Sequence, residues 1–147
     1  MAGRAQQQQD LKEITLEGFE PVTADLFAQG PRRSKANCTL WHRHISFNEK
    51  AFEMLNRCEK ISISINWKRR CILITPAASN DRNGIAWVSG EKRVKPRRMA
   101  CKELAGEIFE KWGLDADCRY VGPGTLVCAE RKVMLLFDFT GAKSYRL

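Results

Sequence analysis

Three groups of cations are the side chains of this sequence best suited to chemistry, and the chemistry they suit is phosphate binding. Lys68, Arg69 and Arg70 follow an alternating apolar run and fall on the tip of an expected hairpin. Arg131 and Lys132 hold what reads as the equivalent tip of a second hairpin. Between them, Lys92-Arg93-Val94-Lys95-Pro96-Arg97-Arg98 is the densest basic run in the chain. Ammonium and guanidinium groups on long stems neutralise phosphates, and each one engaged steepens the salt dependence of binding. Trp67 and Trp87 border these segments, and an aromatic ring beside a basic tip can stack on an unpaired base. Any one such cluster is equally at home as a solvated cap on a strand edge. Three together point towards a polyanion.

Other chemistries find less support. Cys38, His42 and His44 form a C-x3-H-x-H pattern, and on an extended strand the two imidazoles would share a face. No fourth ligand lies nearby in the sequence, and two surface histidines beside one buried thiol is the plainer reading. Asp138, in Leu135-Leu136-Phe137-Asp138-Phe139, is a single carboxylate where Mg²⁺ chemistry would need partners. Cys58 and His44 lack a third member. A Gly-rich phosphate loop, a nucleophile elbow and a carboxylate pair are all missing from the sequence. The chain therefore reads as not an enzyme, with no cofactor expected.

The charge that feeds the basic clusters is unevenly spread. The chain carries 25 Lys and Arg against 17 Asp and Glu, a net +8. Residues 1–36 are neutral, so residues 37–147 hold the whole excess, 20 cations against 12 anions. With 44 % hydrophobic residues over 147 positions there is enough apolar surface for one core. No run approaches the ~20 apolar residues of a membrane span, and residues 1–10 lack an apolar signal core. A cytoplasmic location is expected. The six cysteines (Cys38, Cys58, Cys71, Cys101, Cys118 and Cys128) are widely spaced, which suits free, mostly buried thiols.

Positioning those residues calls for an α+β fold. Residues 1–36 read as a flexible N-terminal arm with scattered apolar anchors. Residues 37–147 read as one domain made of two β-α-β-β halves, about 40–76 and 97–140, forming an antiparallel sheet packed on two helices. In the first half, residues 40–47 form a strand, and Asn48 caps a helix to about Asn56, with Phe47 stapled onto Phe52. Ile61, Ile63 and Ile65 alternate with polar residues, and Cys71 to Thr75 returns. In the second half, Leu104, Ala105, Ile108, Phe109 and Trp112 share a helical face ended by Gly113. A strand at 118–121, a Gly122-Pro123-Gly124 turn, and strands 125–129 and 133–139 follow. A short strand is expected at 85–88.

Two resemblances bear on function. His44 to Leu55, then Ile61 to Pro76, resembles the β-α-β-β pattern of swapped-hairpin regulators of the AbrB type, which implies a homodimeric DNA binder. Cys58-Glu59-Lys60 stands where that pattern has Gly-Asp, and no functional residue carries over. More broadly, Arg97-Arg98-Met99-Ala100-Cys101, Trp112-Gly113, Arg119-Tyr120 and the 135–139 strand resemble mobile-element proteins of gut Firmicutes. That resemblance implies either regulation of the element or an anti-CRISPR role, inhibiting a host defence nuclease through protein or guide and target contacts. The expected function is a non-enzymatic nucleic-acid binder using Lys68, Arg69, Arg70, Lys92, Arg93, Lys95, Arg97, Arg98, Arg131, Lys132 and Trp67, with inhibition of a guide-loaded Cas nuclease as the alternative.

Overall fold

Strict alternation of apolar and polar residues builds the strands His44–Phe47 and Lys60–Asn66, because successive side chains of a strand face opposite sides. The computed structural model describes residues 11–23, 35–88 and 96–147. Among them nine strands and two helices follow the order β1 (Asn37–Trp41), β2 (His44–Phe47), α1 (Glu49–Met54), β3 (Lys60–Asn66), β4 (Cys71–Ala77), β5 (Ile85–Ala86), β6 (Met99–Ala100), α2 (Lys102–Trp112), β7 (Cys118–Ala129), β8 (Lys132–Asp138) and β9 (Lys143–Arg146). The pairings are antiparallel, and the spatial order is β5-β3-β4-β8-β7-β1-β2-β6, with β9 also on β7. The α+β class and the antiparallel sheet with two helices stand as expected.

The duplication does not. Residues 40–47 are a two-stranded hairpin turning at His42 and Arg43, with Trp41 opposite His44. The Gly122-Pro123-Gly124 turn is also absent, and β7 runs straight through it. Here the glycines provide room rather than a bend. A Cβ on Gly122 would lie 2.9 Å from the Phe139 ring, and one on Gly124 would lie 2.6 Å from Phe137. Gly124 N donates to Ala36 O (2.8 Å), so the nitrogen of Pro123 points to the opposite side of β7. There the pairing with β8 stops at Gly124 and the pairing with β9 at Val121, so the missing N–H breaks no ladder bond. Gly124→Ala should push Phe137 off its site and destabilise the fold by about 1–3 kcal/mol in denaturant titration.

The break between β8 and β9 has its own device. Asp138 Oδ1 accepts from Thr140 N (2.9 Å) and Thr140 Oγ1 (2.6 Å), closing a turn over the residues inserted between the two strands. These bonds, the hydroxyl first, hold the Asp138 carboxyl below its ordinary range. A depressed folded pKa gives stability that is present above the unfolded pKa and lost as pH falls through the folded one. Asp138→Asn should therefore flatten the acid limb of a stability-versus-pH curve by removing the small share of stability that the carboxylate supplies at neutral pH, leaving low pH little changed.

Both helices lie inside the curl of the sheet. Asn48 caps α1 by accepting from Ala51 N (3.1 Å), and Gly113 ends α2 in the left-handed region at φ 64°. Phe47 and Phe52 both pack edge-on against Trp87, so the expected staple is made through an indole. Trp87 is fully buried, with Nε1 donating to Cys58 O (2.8 Å). Ile61, Ile72, Ile74, Leu135 and Phe137 complete this core. Ala36 is buried in this core, and Lys35 O accepts from Asn48 Nδ2 (2.8 Å). The six thiols are free, and Cys38 alone is fully buried.

Curling brings the two edges of the sheet together. Arg97 N donates to Trp87 O (2.9 Å), and Val88 and Pro96 form an antiparallel bridge. No helix among the described residues is long and apolar enough to cross a membrane.

Candidate nucleic-acid interface

The sheet separates the expected cationic tips. Cys71 of β4 pairs with Asp138 at the end of β8, and Phe139 N donates to Arg70 O (2.9 Å). Lys68, Arg69 and Arg70 are exposed at that end. Arg131 and Lys132, also exposed, open β8 at its other end, a full strand length of about 20 Å away. The two tips are therefore at opposite ends of the sheet rather than equivalent corners of two halves.

The aromatics assigned to the tips are occupied elsewhere. Trp87 is in the core, so it cannot stack on a base. Trp67 leans edge-on against Trp112 (centroids 6.0 Å apart), receives Lys111 Nζ over its ring at 4.4 Å, and accepts from Trp112 Nε1 at its carbonyl (3.0 Å). Within the basic run, Lys92, Arg93 and Lys95 lie outside the described residues. Arg97 and Arg98 are exposed and diverge: Arg97 borders a cavity at the sheet seam, and Arg98 lies over the Trp41 ring with its guanidinium carbon 4.1 Å from the centroid.

Arg98 leads to a surface that no run in the sequence announces. Leu40 and Cys38 of β1 face the core, so Thr39 and Trp41 face outward. Trp41 lies opposite His44, and His44 opposite Ala100. Thr39 lies opposite Val121, and extending that register places Trp41 beside Arg119. Arg119 lies opposite Tyr145, and Val121 opposite Lys143. Opposed residues of an antiparallel pair share a face and sit about 5 Å apart. The convex side of β9-β7-β1-β2-β6 thus carries a row running Tyr145, Arg119, Trp41, His44, with Lys143 in the row beside it.

Cation and ring alternate along that row. Arg119 covers Tyr145 at 4.7 Å as Arg98 covers Trp41. Arg98 Nη2 lies 3.4 Å from His44 Nδ1, and a guanidinium can only donate, so Nδ1 is the acceptor. β1, β2, β6, β9 and the first half of β7 contain no Asp or Glu. The turn before β7 carries Asp115 and Asp117, and Asp117 O accepts from Leu147 N (2.9 Å), so carboxylates bound the row at one end. Guanidinium groups over the half-buried Trp41 ring and the exposed Tyr145 ring, in no ion pair among the described residues, are suited to hold a phosphate and a base together.

The histidine and cysteine pattern comes apart. His42 sits in the hairpin turn, edge-on to Phe109 at 5.4 Å, rather than on a strand beside His44. Cys38 points into the core, where burial pushes its thiol well up, with Cys101 adding to the shift. Among the described residues no group of three or more His, Cys, Asp or Glu could hold a metal ion.

The outward Trp41, alternating with Cys38 and Leu40, was the one signal in the sequence that could have found this face. Comparison with known proteins returns no matching family model, no matching curated protein and no matching solved structure.

Proposed function

We propose that this chain is a non-catalytic binder of unpaired nucleic acid, seated on the convex face of β9-β7-β1-β2-β6. The observation that carries the reading is the row Tyr145, Arg119, Trp41, His44 with Arg98 stacked on Trp41, on strands free of carboxylates. Bases of a single strand have open faces and can lie on such rings. Those of a duplex are already stacked on one another. Arg98, Arg119 and Lys143 take the phosphates, and the net +8 draws the strand in from a distance. Lys68, Arg69, Arg70, Arg131 and Lys132 add to that attraction from the two ends of the sheet.

The test is an anisotropy titration of labelled single-stranded DNA, single-stranded RNA and a matched duplex over a salt series. With three phosphates engaged, log K should fall against log salt with a slope of about −2 for single strands. Single strands should also bind more tightly than the duplex at every salt. No binding at low salt, or tighter binding to the duplex, would overturn the reading.

A further inference from the structure

The seam of the curled sheet is only partly closed. Beyond the Trp87–Arg97 hydrogen bond the two edges part around a cavity of about 490 Å³, whose walls include Ile63, Ile85, Met99, Cys101 and Leu104, with Arg97 at its border. β5 pairs with β3 on one side, and β6 with β2 on one side. Among the described residues each leaves its other edge open towards the gap. An apolar slot between two open strand edges accepts an extended apolar segment, whose backbone can continue the sheet while its side chains fill the slot.

The same chain carries such a segment. Residues 11–23 are exposed throughout, with Leu11, Ile14, Leu16, Phe19 and Val22 at 64–75 % of full exposure. The segment has local order of its own. Phe19 N donates to Leu16 O (3.1 Å) around Gly18 at φ 86°, and Glu17 N donates to Thr15 Oγ1 (3.3 Å). Five large apolar side chains within thirteen residues, left in water, mark a contact surface. The charges are complementary: Glu13, Glu17 and Glu20 against Lys12 leave the segment negative, while residues 37–147 carry +8 and the cavity border carries Arg97.

We propose that this arm docks in the seam cavity of a second copy of the chain. Leu16 and Phe19 enter the slot, and Glu17 or Glu20 meets Arg97. Exchange in both directions makes a closed two-fold dimer in which each arm and each cavity is filled, with no open end for further copies. The second copy is favoured because residues 11–23 stand clear of their own body. The inference is independent of the nucleic-acid reading.

The test uses the full chain with Phe19→Cys, oxidised under mild conditions. The expected product is an inter-chain disulfide to Cys101, with twice the 16.8 kDa chain mass on a non-reducing gel and loss of the product on adding Cys101→Ser. In parallel, light scattering should give a dimer for the unaltered chain and a monomer for Leu16→Asp/Phe19→Asp. Those positions are exposed, so the circular dichroism spectrum should not change. A disulfide closed within one chain would show the arm docking on its own body and would overturn the proposal. So would a monomeric unaltered chain, or crosslinking only to thiols other than Cys101.

Discussion

Replacing Trp41 with Ala should weaken single-strand binding by about 10- to 100-fold while leaving the melting temperature almost unchanged, because one stacked base contributes about 1–3 kcal/mol. Trp41 faces outward from β1, so truncation opens no cavity in the core. Its loss also frees Arg98 from the ring it lies on, which removes the preorganisation of one phosphate contact. Trp41→Phe keeps a stacking face and should recover most of the affinity. Arg98→Ala should act differently: weaker binding with a salt slope reduced by about one phosphate's share, near 0.7. Titrations of the three variants over the same salt series separate stacking from charge.

Trp87→Ala should be the most damaging single substitution for stability, costing about 3–5 kcal/mol and lowering the melting temperature by roughly 10 °C or more. Trp87 is fully buried between Phe47 and Phe52, and its indole N–H satisfies Cys58 O. Truncation removes the ring that joins β2 to α1, leaves a cavity, and strips a half-buried carbonyl of its donor. Its own carbonyl accepts from Arg97, so the closed end of the sheet seam should loosen as well. Chemical denaturation followed by the remaining tryptophans measures the cost. Hydrogen exchange at Arg97 N reports the seam.

These two tryptophans show what the sequence could and could not disclose. The alternation of Ile61, Ile63 and Ile65, the Asn48 cap and the Gly113 stop are local signals, and β3, α1 and α2 formed where they predicted. The repeat failed because it was inferred from a similar order of elements. Pairing is decided by contacts distant in the chain, such as Gly124 against Phe137 and Thr39 against Val121. Cationic runs were legible, but a run is a feature of sequence and a site is a feature of space. The convex face draws Trp41, His44, Arg98, Arg119, Lys143 and Tyr145 from four separate stretches, and only the register of β9, β7, β1, β2 and β6 assembles them. Trp87 is a candidate for stacking in the sequence because it lies close to the basic run 92–98, whereas its neighbours in space are Phe47 and Phe52.

The most direct test is to locate the bound strand by photo-crosslinking a single-stranded oligonucleotide carrying 5-bromouracil and mapping the modified residues by mass spectrometry. Crosslinks at Trp41 and Tyr145, competed away by unlabelled single strand and lost in Trp41→Ala at the first position, are the predicted result. Crosslinks confined to Trp67 and the 68–70 or 131–132 tips, with Trp41 and Tyr145 unmodified, would contradict it.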